Sequence, residues 1–437
     1  MRRHNRKFKM TQRVNDFPTW YEATATRGAP RPALRGAIKA EICVIGGGLA
    51  GLTVALESAR LRANVVLLEA KNVAWAASGR NGGFVSNGYA QGIENIQKRV
   101  GLEAARGLYA LSKRGSEYVR REIAEGDPSL KMGDGWIVAL RHRDNGNLQK
   151  YRDMMARDYD ENFTFLSAEQ TREKLNSSRY FESISNPQAL HFHPLRYALM
   201  LAGKAEASGA AIHENTAALS VQKQGAEWRV RTGDGEVVAR HVVHCMSSLD
   251  RTIHTVSGRA VLPVATYVAV TEPLKQDAIC TSAAVADTRR AGNYYRLIDG
   301  GRILWGGNIT TRISEPGRLA EQMKRDMVAT FPQLGNPRID YSWAGLMAYA
   351  LHKMPLIGRD KEGQWFATAF GGHGMNTTAM AGQLLAAAIA QGDDEYRRFA
   401  PYEPAWAGGP FGRLGVQASY WWMQLRDRID EARSPGF

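Results

Sequence analysis

The sequence predicts an α/β fold, α+β overall: a nucleotide-binding βαβ unit near the start of the chain, and a strand-rich region beyond it. Three observations predict this. Residues 41–69 read as a strand, a Gly-x-Gly-x-x-Gly turn, a helix, a second strand and a terminal acid. Residues 262–345 are rich in strands, and residues 365–391 run through strand, glycine loop and helix a second time.

Each part of the first unit has a physical task. Gly46 permits the tight turn, Gly48 lets the backbone approach a pyrophosphate, and Gly51 lets the helix pack closely on the strand. The helix N-terminus offers free N–H groups and a positive dipole end to phosphates. Glu69, 18 residues past Gly51, can accept hydrogen bonds from both ribose hydroxyls. An acid there favours an unphosphorylated ribose, hence NAD or FAD rather than NADP.

The bulk numbers bound the rest. A chain of 437 residues can hold two or three domains, and an apolar fraction of 44% is ordinary for a globular protein. No stretch approaches the ~20 apolar residues of a spanning helix, so no transmembrane segment is expected. Cys43, Cys245 and Cys280 form neither a disulfide framework nor a metal-type spacing, which points to a reducing, cytoplasmic setting. The net charge of +14 invites a nucleic-acid reading. Six of those charges, however, lie in the first thirteen residues, a basic leader expected to be dispensable. No nucleic-acid module accompanies it, so no nucleic-acid partner is expected.

In chain order, 75–83 is too small and glycine-rich for an element interior and reads as a close-approach loop. Residues 93–125 read as one helix with an apolar stripe through Leu102, Ala105, Leu108, Leu111 and Tyr118, stopped by Gly126-Asp127-Pro128. A strand is expected at 136–140. Ser167 with Gln170 forms a capping box opening a short helix, and 195–208 is helical. Residues 210–247 read as a strand and a meander, with Gly233-Asp234-Gly235 as one hairpin turn. Further strands are expected at 266–270, 293–297 and 302–306, then a helix near 318–330. The last block is a strand over 365–370, Gly371-Gly372-His373-Gly374, and a helix over 377–391 closed by Gly392.

This second glycine loop selects the cofactor. A nicotinamide nucleotide does not need it, whereas a flavin needs a distant loop over its ribityl chain and pyrimidine edge. A helix dipole aimed there stabilises the negative charge of the reduced ring.

On these residues the chain resembles the FAD-dependent oxidoreductases of the D-amino-acid oxidase superfamily, which includes the glycine and sarcosine oxidases; it is most similar to the gamma-glutamylputrescine oxidase branch. The resemblance rests on 44–51, Glu69, Ser78-Gly79-Arg80-Asn81-Gly82-Gly83, 191–194, Tyr294-Tyr295-Arg296-Leu297, 340–343, 354–359 and Gly372-His373-Gly374. It implies a discontinuous Rossmann-type FAD-binding domain (38–95, 190–260 and 345–437) and a second, antiparallel-sheet substrate domain (96–189 and 261–344), with 1–37 as leader and N-terminal arm. The helix around Tyr420-Trp421-Trp422 is expected to pack on the FAD domain. The resemblance also implies oxidation of a C–N bond, by hydride transfer from the carbon bearing a neutral amine, and hydrolysis of the imine.

The expected cofactor-binding residues are Gly46, Gly48, Gly51, Glu69, Ser78, Arg80, Asn81, Gly82, Gly83, Gly372, Gly374, Met375 and Asn376. His373 is a candidate acid–base, or a backbone or cofactor hydrogen-bonding group. Arg296 is a candidate for catalysis or for a substrate anion, or else a structural ion pair. Met347 and Tyr349 are further substrate candidates. His191 and His193 have no third ligand in view, so no metal is expected.

Departures from the family refine the reading. Sarcosine oxidases carry covalent flavin on a cysteine just before the segment matching Met354-Pro355; residues 345–353 contain none, which implies non-covalent FAD. The arginine of a Gly-Leu-Arg-Pro-type strand, which clamps a carboxylate in glycine oxidase, is Met347 here, and the sarcosine oxidase lysine is Asn376. The expected substrate is therefore an amine without an alpha-carboxylate, such as gamma-glutamylputrescine or a related polyamine derivative, with O2 as acceptor. An amino-acid oxidase or dehydrogenase and a non-catalytic flavin protein are the alternatives. Lys353 is the nearest basic candidate for oxygen activation. Oligomeric state is open.

Overall fold

The computed structural model describes residues 18–249, 252–274, 278–290, 292–311 and 318–434, so the basic leader lies outside the described residues. In chain order the elements are α1 (Trp20–Thr24), β1 (Gly36–Ile45), α2 (Leu49–Arg60), β2 (Val65–Leu68), β3 (Phe84–Val85), α3 (Ile93–Val100), α4 (Leu102–Gly126), β4 (Lys131–Ala139), α5 (Asn147–Tyr159), β5 (Thr164–Leu166), α6 (Ala168–Leu175), β6 (Ser183–Phe192) and α7 (Pro194–Ala207). There follow β7 (Ala211–His213), β8 (Ser220–Gln224), β9 (Glu227–Arg231), β10 (Gly235–His244), α8 (Thr255–Ala260), β11 (Leu262–Thr271), β12 (Ala284–Asp287), β13 (Tyr294–Ile298), β14 (Arg302–Thr310), α9 (Leu319–Thr330), β15 (Ile339–Tyr349), β16 (Leu356–Arg359), β17 (Trp365–Thr368), α10 (Gly374–Gln391) and α11 (Gly409–Ala432).

The first sheet has the strand order β16-β17-β10-β1-β2-β7, with β8 and β9 continuing as a meander off β10. Strands β1, β2, β7, β10 and β17 are parallel to their neighbours in this core, and β16 is antiparallel. The central strands are uniformly apolar because both faces are covered. Ile42 and Val44 of β1 enter the core beneath α2, α4, α7 and α10, whereas Cys43 and Ile45 enter the core beneath the meander.

The second sheet has the order β15-β11-β14-β13-β12-β4-β6-β3, with β5 paired to β6. It is antiparallel except for the parallel pair β4–β12. Tyr267, Tyr295, Trp305 and Leu346 project from one face onto Met323, Met327 and Phe331 on and just beyond α9. Tyr295 and Trp305 stack at 4.9 Å. The opposite face is turned toward the first sheet.

Strands cross the segment edges expected from the sequence: β6 runs through 190–192, β15 through 345–349, and β3 at 84–85 joins the second sheet. Helix α4, expected in the substrate domain, packs beside α2 and α10 through Leu108, Leu111 and Tyr118.

Two local expectations are corrected. Residues 93–125 form two helices, not one, because Gly101 (φ +81°) ends α3 and begins α4. That backbone conformation cannot be continued helix, and only glycine adopts it readily. The terminal helix α11 packs on β11 and β14 of the second sheet rather than on the first. Its acids fix it there: Asp427 and Asp430 pair with Arg290, and Glu431 with Arg289. Trp421 and Trp422 remain exposed. Among the described residues, no helix is long and apolar enough to cross a membrane.

Candidate active site

A cavity of about 630 Å³ lies between the two sheets. It gathers residues from five distant segments: Gly46, Gly48 and Glu69; Ser78, Arg80, Asn81, Gly82 and Gly83; Cys245, Met246 and Ser247; Met347 and Tyr349; and Gly372, His373, Gly374, Met375 and Asn376. Two expected residues do not line it. Gly51 lies behind the turn, where an added Cβ would fall 1.9 Å from the Gly46 carbonyl oxygen, so its task is packing. Arg296 lies elsewhere, as described below.

At the first glycine turn the chain already pairs its own polar groups. Glu69 accepts from the Gly47 N–H at 2.7 Å and the Lys71 N–H at 2.8 Å. Burial raises its pKa, and those amides pull the other way. Ser78 accepts from the Leu49 N–H at 2.9 Å, capping α2 from 29 residues away. A Cβ at Gly48 would stand 2.9 Å from that Ser78 oxygen, so a side chain would fill the cradle that a pyrophosphate needs. At Gly46 (φ +112°) a Cβ would meet the Cys245 carbonyl oxygen at 2.7 Å.

The 75–83 loop is braced internally. Asn81 donates to the Ala77 and Ser78 carbonyls and accepts from the Gly83 N–H. Arg80 reaches across to the second sheet: its Nε donates to the Ala344 carbonyl, and its own carbonyl accepts from Trp343. Thus Asn81 shapes the loop and Arg80 fastens it to the sheet.

At the far end His373 begins α10. Its Nε2–H donates to the Ser86 carbonyl at 3.1 Å, which fixes the neutral tautomer, and burial lowers its pKa. Tyr349 accepts from the Gly372 N–H at 2.8 Å, with its hydroxyl 4.0 Å from the Met347 sulfur. The wall formed by Met347, Tyr349 and Gly372 is uncharged. Asn376 is spent on the Gly88 and Ser112 carbonyls, tying α10 to α4. Lys353 is exposed and does not line the cavity.

Arg296 does not face the cavity. Its guanidinium is fully buried and donates to Tyr21 at 3.0 Å, to the Phe192 carbonyl at 2.9 Å and to His191 Nδ1 at 2.8 Å. No room is left there for a substrate anion. Burial and this cation push the pKa of His191 down to about 3. His193 is spent as well, its Nδ1 accepting from the Arg196 N–H and its Nε2 bonding Thr24. Arg296 and the two histidines thus anchor the N-terminal arm. Among the described residues no group of three or more His, Cys, Asp and Glu side chains could hold a metal ion.

Sequence reasoning missed the apolar floor. Phe84, Trp136 and Tyr294 line the cavity and pack edge to face, with Phe84 5.0 Å from Trp136 and 5.3 Å from Tyr294. A signal existed for Tyr294, which alternates with Arg296 on one face of β13. Trp136 is brought there by the pairing of β4 with β12 on one side and β6 on the other.

The family profile described as FAD dependent oxidoreductase matches residues 41–388. The chain belongs to this family. Gamma-glutamylputrescine oxidoreductase of Escherichia coli (strain K12) is 31% identical over 434 residues, covering 96% of this chain and all of that protein. The probable oxidoreductase OrdL of Haemophilus influenzae is 31% identical over 378 residues, covering 83% of this chain and 86% of that one. Among solved structures, glycine oxidase from Bacillus cereus ATCC 14579 superposes with a TM-score of 0.67 at 21% identity, over 82% of this chain and 96% of that one. L-proline dehydrogenase from P. horikoshii superposes with a TM-score of 0.70 at 21% identity, over 85% of this chain and all of that one. These likenesses show the fold. This oxidoreductase is FAD-dependent, and its residues fit FAD: a cradle with no side chain at Gly48, an acid at position 69, and helix N-termini at both ends of one cavity.

Proposed function

We propose that this oxidoreductase oxidises the C–N bond of an amine whose reacting carbon bears no carboxylate, gamma-glutamylputrescine or a related polyamine derivative being the first candidate, with O2 as acceptor. The uncharged wall of Met347, Tyr349 and Gly372 carries the reading. A bidentate guanidinium binds a carboxylate strongly, and a thioether contributes no charge. The cations that do line the cavity are engaged: Arg289 and Arg290 pair with acids of α11, and Arg80 is fastened to β15. The name of the relative from Escherichia coli supports the same substrate class.

Bound FAD supplies the hydride acceptor. Glu69 would hold the ribose, and the N-termini of α2 and α10 would hold the pyrophosphate and the pyrimidine edge. Phe84, Trp136 and Tyr294 exclude water and favour the neutral amine, the form able to give up a hydride from its carbon. His373, held neutral on Ser86, adds no positive charge against an incoming amine. Water then splits the imine to a carbonyl compound and an amine. We infer non-covalent FAD, since segment 345–353 has no cysteine. Cys245 sits at the Gly46 turn, with its thiol pushed up to about 12 by burial.

The test is kcat/KM for gamma-glutamylputrescine and putrescine against glycine, sarcosine, D-alanine and L-pipecolate, with anaerobic bleaching of the flavin followed by admission of air. The amines should win, and air should restore the colour. An alpha-amino or alpha-imino acid ahead by tenfold would overturn the substrate class, and slow recolouring would replace O2 with a carrier.

A further inference from the structure

A second chamber of about 200 Å³ adjoins the active-site cavity. Ser86, Tyr89, Trp136 and His373 line both spaces, so the two adjoin across these side chains. The chamber's walls are aromatic and aliphatic, with Ile93, Ile96, Val138 and Ile184 among them. Tyr109, Tyr151 and Phe163 join Tyr89 and Trp136, with Tyr151 and Phe163 stacked at 6.2 Å and an interplanar angle of 10°.

Behind the wall lies a carboxylate. Glu161 is 5% exposed, and the chamber's own hydrogen-bond donors are turned onto it. Asn87 Nδ2 reaches its two oxygens at 3.2 and 2.9 Å, Asn186 Nδ2 donates at 2.9 Å, and the Tyr109 hydroxyl at 3.1 Å. Lys113 pairs with Glu161 at 3.4 Å and lies 5.6 Å from the Tyr109 ring centroid, donating also to the Tyr159 and Asp160 carbonyls; it does not line the chamber. Among the described residues, no lysine or arginine lines it. Nearby negative charge is felt within the wall: burial, then Glu94 and Glu161, push the Tyr151 phenol up to about 12.

Ring faces, with the chamber's amide and phenol donors turned onto Glu161, suit a cation. We propose that this chamber binds a second, non-reacting ammonium of the substrate. The enzyme is therefore selective for diamines, or derivatives that keep a cationic far end, over monoamines of equal length. This rests on the amine reading above and adds to it where the rest of the substrate goes.

Putrescine and butan-1-amine share a reacting end and differ in the remote ammonium. With the holoenzyme, putrescine should have the higher kcat/KM by about tenfold or more, with the difference in KM. Tyr151→Leu and Phe163→Leu should shrink that ratio severalfold, while Tyr151→Phe, which keeps the ring, should preserve it. Flavin content and melting temperature verify folding of each variant. Butyltrimethylammonium, which cannot be oxidised, should bind to the wild type by equilibrium dialysis and bind more weakly to the leucine variants. If both amines are oxidised equally well, or the ratio ignores the leucine variants, the chamber proposal falls and the amine reading stands. If glycine or sarcosine outruns both amines, the amine reading falls. Butyltrimethylammonium then decides the chamber alone, and binding unchanged by Tyr151→Leu overturns it.

Discussion

The two glycine-rich junctions, one at Gly46 feeding α2 and the other at Gly371 feeding α10, look alike in sequence but differ in how their polar groups are paired. At the first, Ser78 caps the helix and Glu69 holds the turn amide, so the cradle is built before any ligand arrives. At the second, no side chain caps the start of α10, and the turn is held by Tyr349 from the neighbouring sheet. The first junction is thus pre-paired, as suits a receptor for a fixed group. The second leaves a helix dipole facing the cavity, where charge changes during reaction. Pre-pairing suits binding, whereas an open dipole suits chemistry.

Five measurements would break or sharpen this contrast, from the largest expected effect to the smallest. Gly51→Ala drives a Cβ to 1.9 Å from the Gly46 oxygen. It should cost about 3 kcal/mol of stability, read by urea unfolding, because the Gly46 carbonyl is backbone and cannot give way. An unchanged midpoint would refute close packing at the first junction. Glu69→Ala should weaken FAD retention by about 1.5–3 kcal/mol, a charge-assisted contact, read as flavin left in the filtrate after dialysis. Flavin that stays on the denatured chain would instead refute non-covalent binding.

The third measurement is a pH series. Burial sets the folded pKa of His373 below its ordinary 6.5, so its contribution to stability is full above that value and is lost as pH falls below it. Melting temperatures at pH 7 and pH 5 should fall less in His373→Gln than in the wild type; equal falls would show that His373 does not titrate as a buried group. Tyr349→Phe removes the bond to Gly372 and should cost about 1 kcal/mol while shifting the flavin absorption band. A spectrum identical to the wild type would detach the second junction from the flavin. Deleting residues 1–9 should leave flavin content and melting temperature unchanged, and a loss of several degrees would make the leader part of the fold.

The legible parts of the site share one property: they are local. The turn, α2 and Glu69 form one continuous stretch, and the Ser167 capping box closes within four residues. Arg296 shows the limit. Its strand was readable, and its charge suggested an anion site, but its partners Tyr21, His191 and Phe192 lie more than a hundred residues away. The break at Gly101 was missed for a different reason: the apolar stripe of α4 runs close enough to the pattern of α3 to read as one helix.

By itself the sequence determined most strands and helices, the glycine turns and the resemblance to the FAD family, because hydrophobic period, turn chemistry and motif spacing act over a few residues. Tertiary structure alone decided which charges remain available. Met347 faces the cavity while Arg296 is buried beneath it, and Trp136 and Phe163 meet around a chamber that no short stretch encodes. The reason is physical: a side chain's charge and reach are local properties, but its burial and its partners are set by strand pairing across the whole chain.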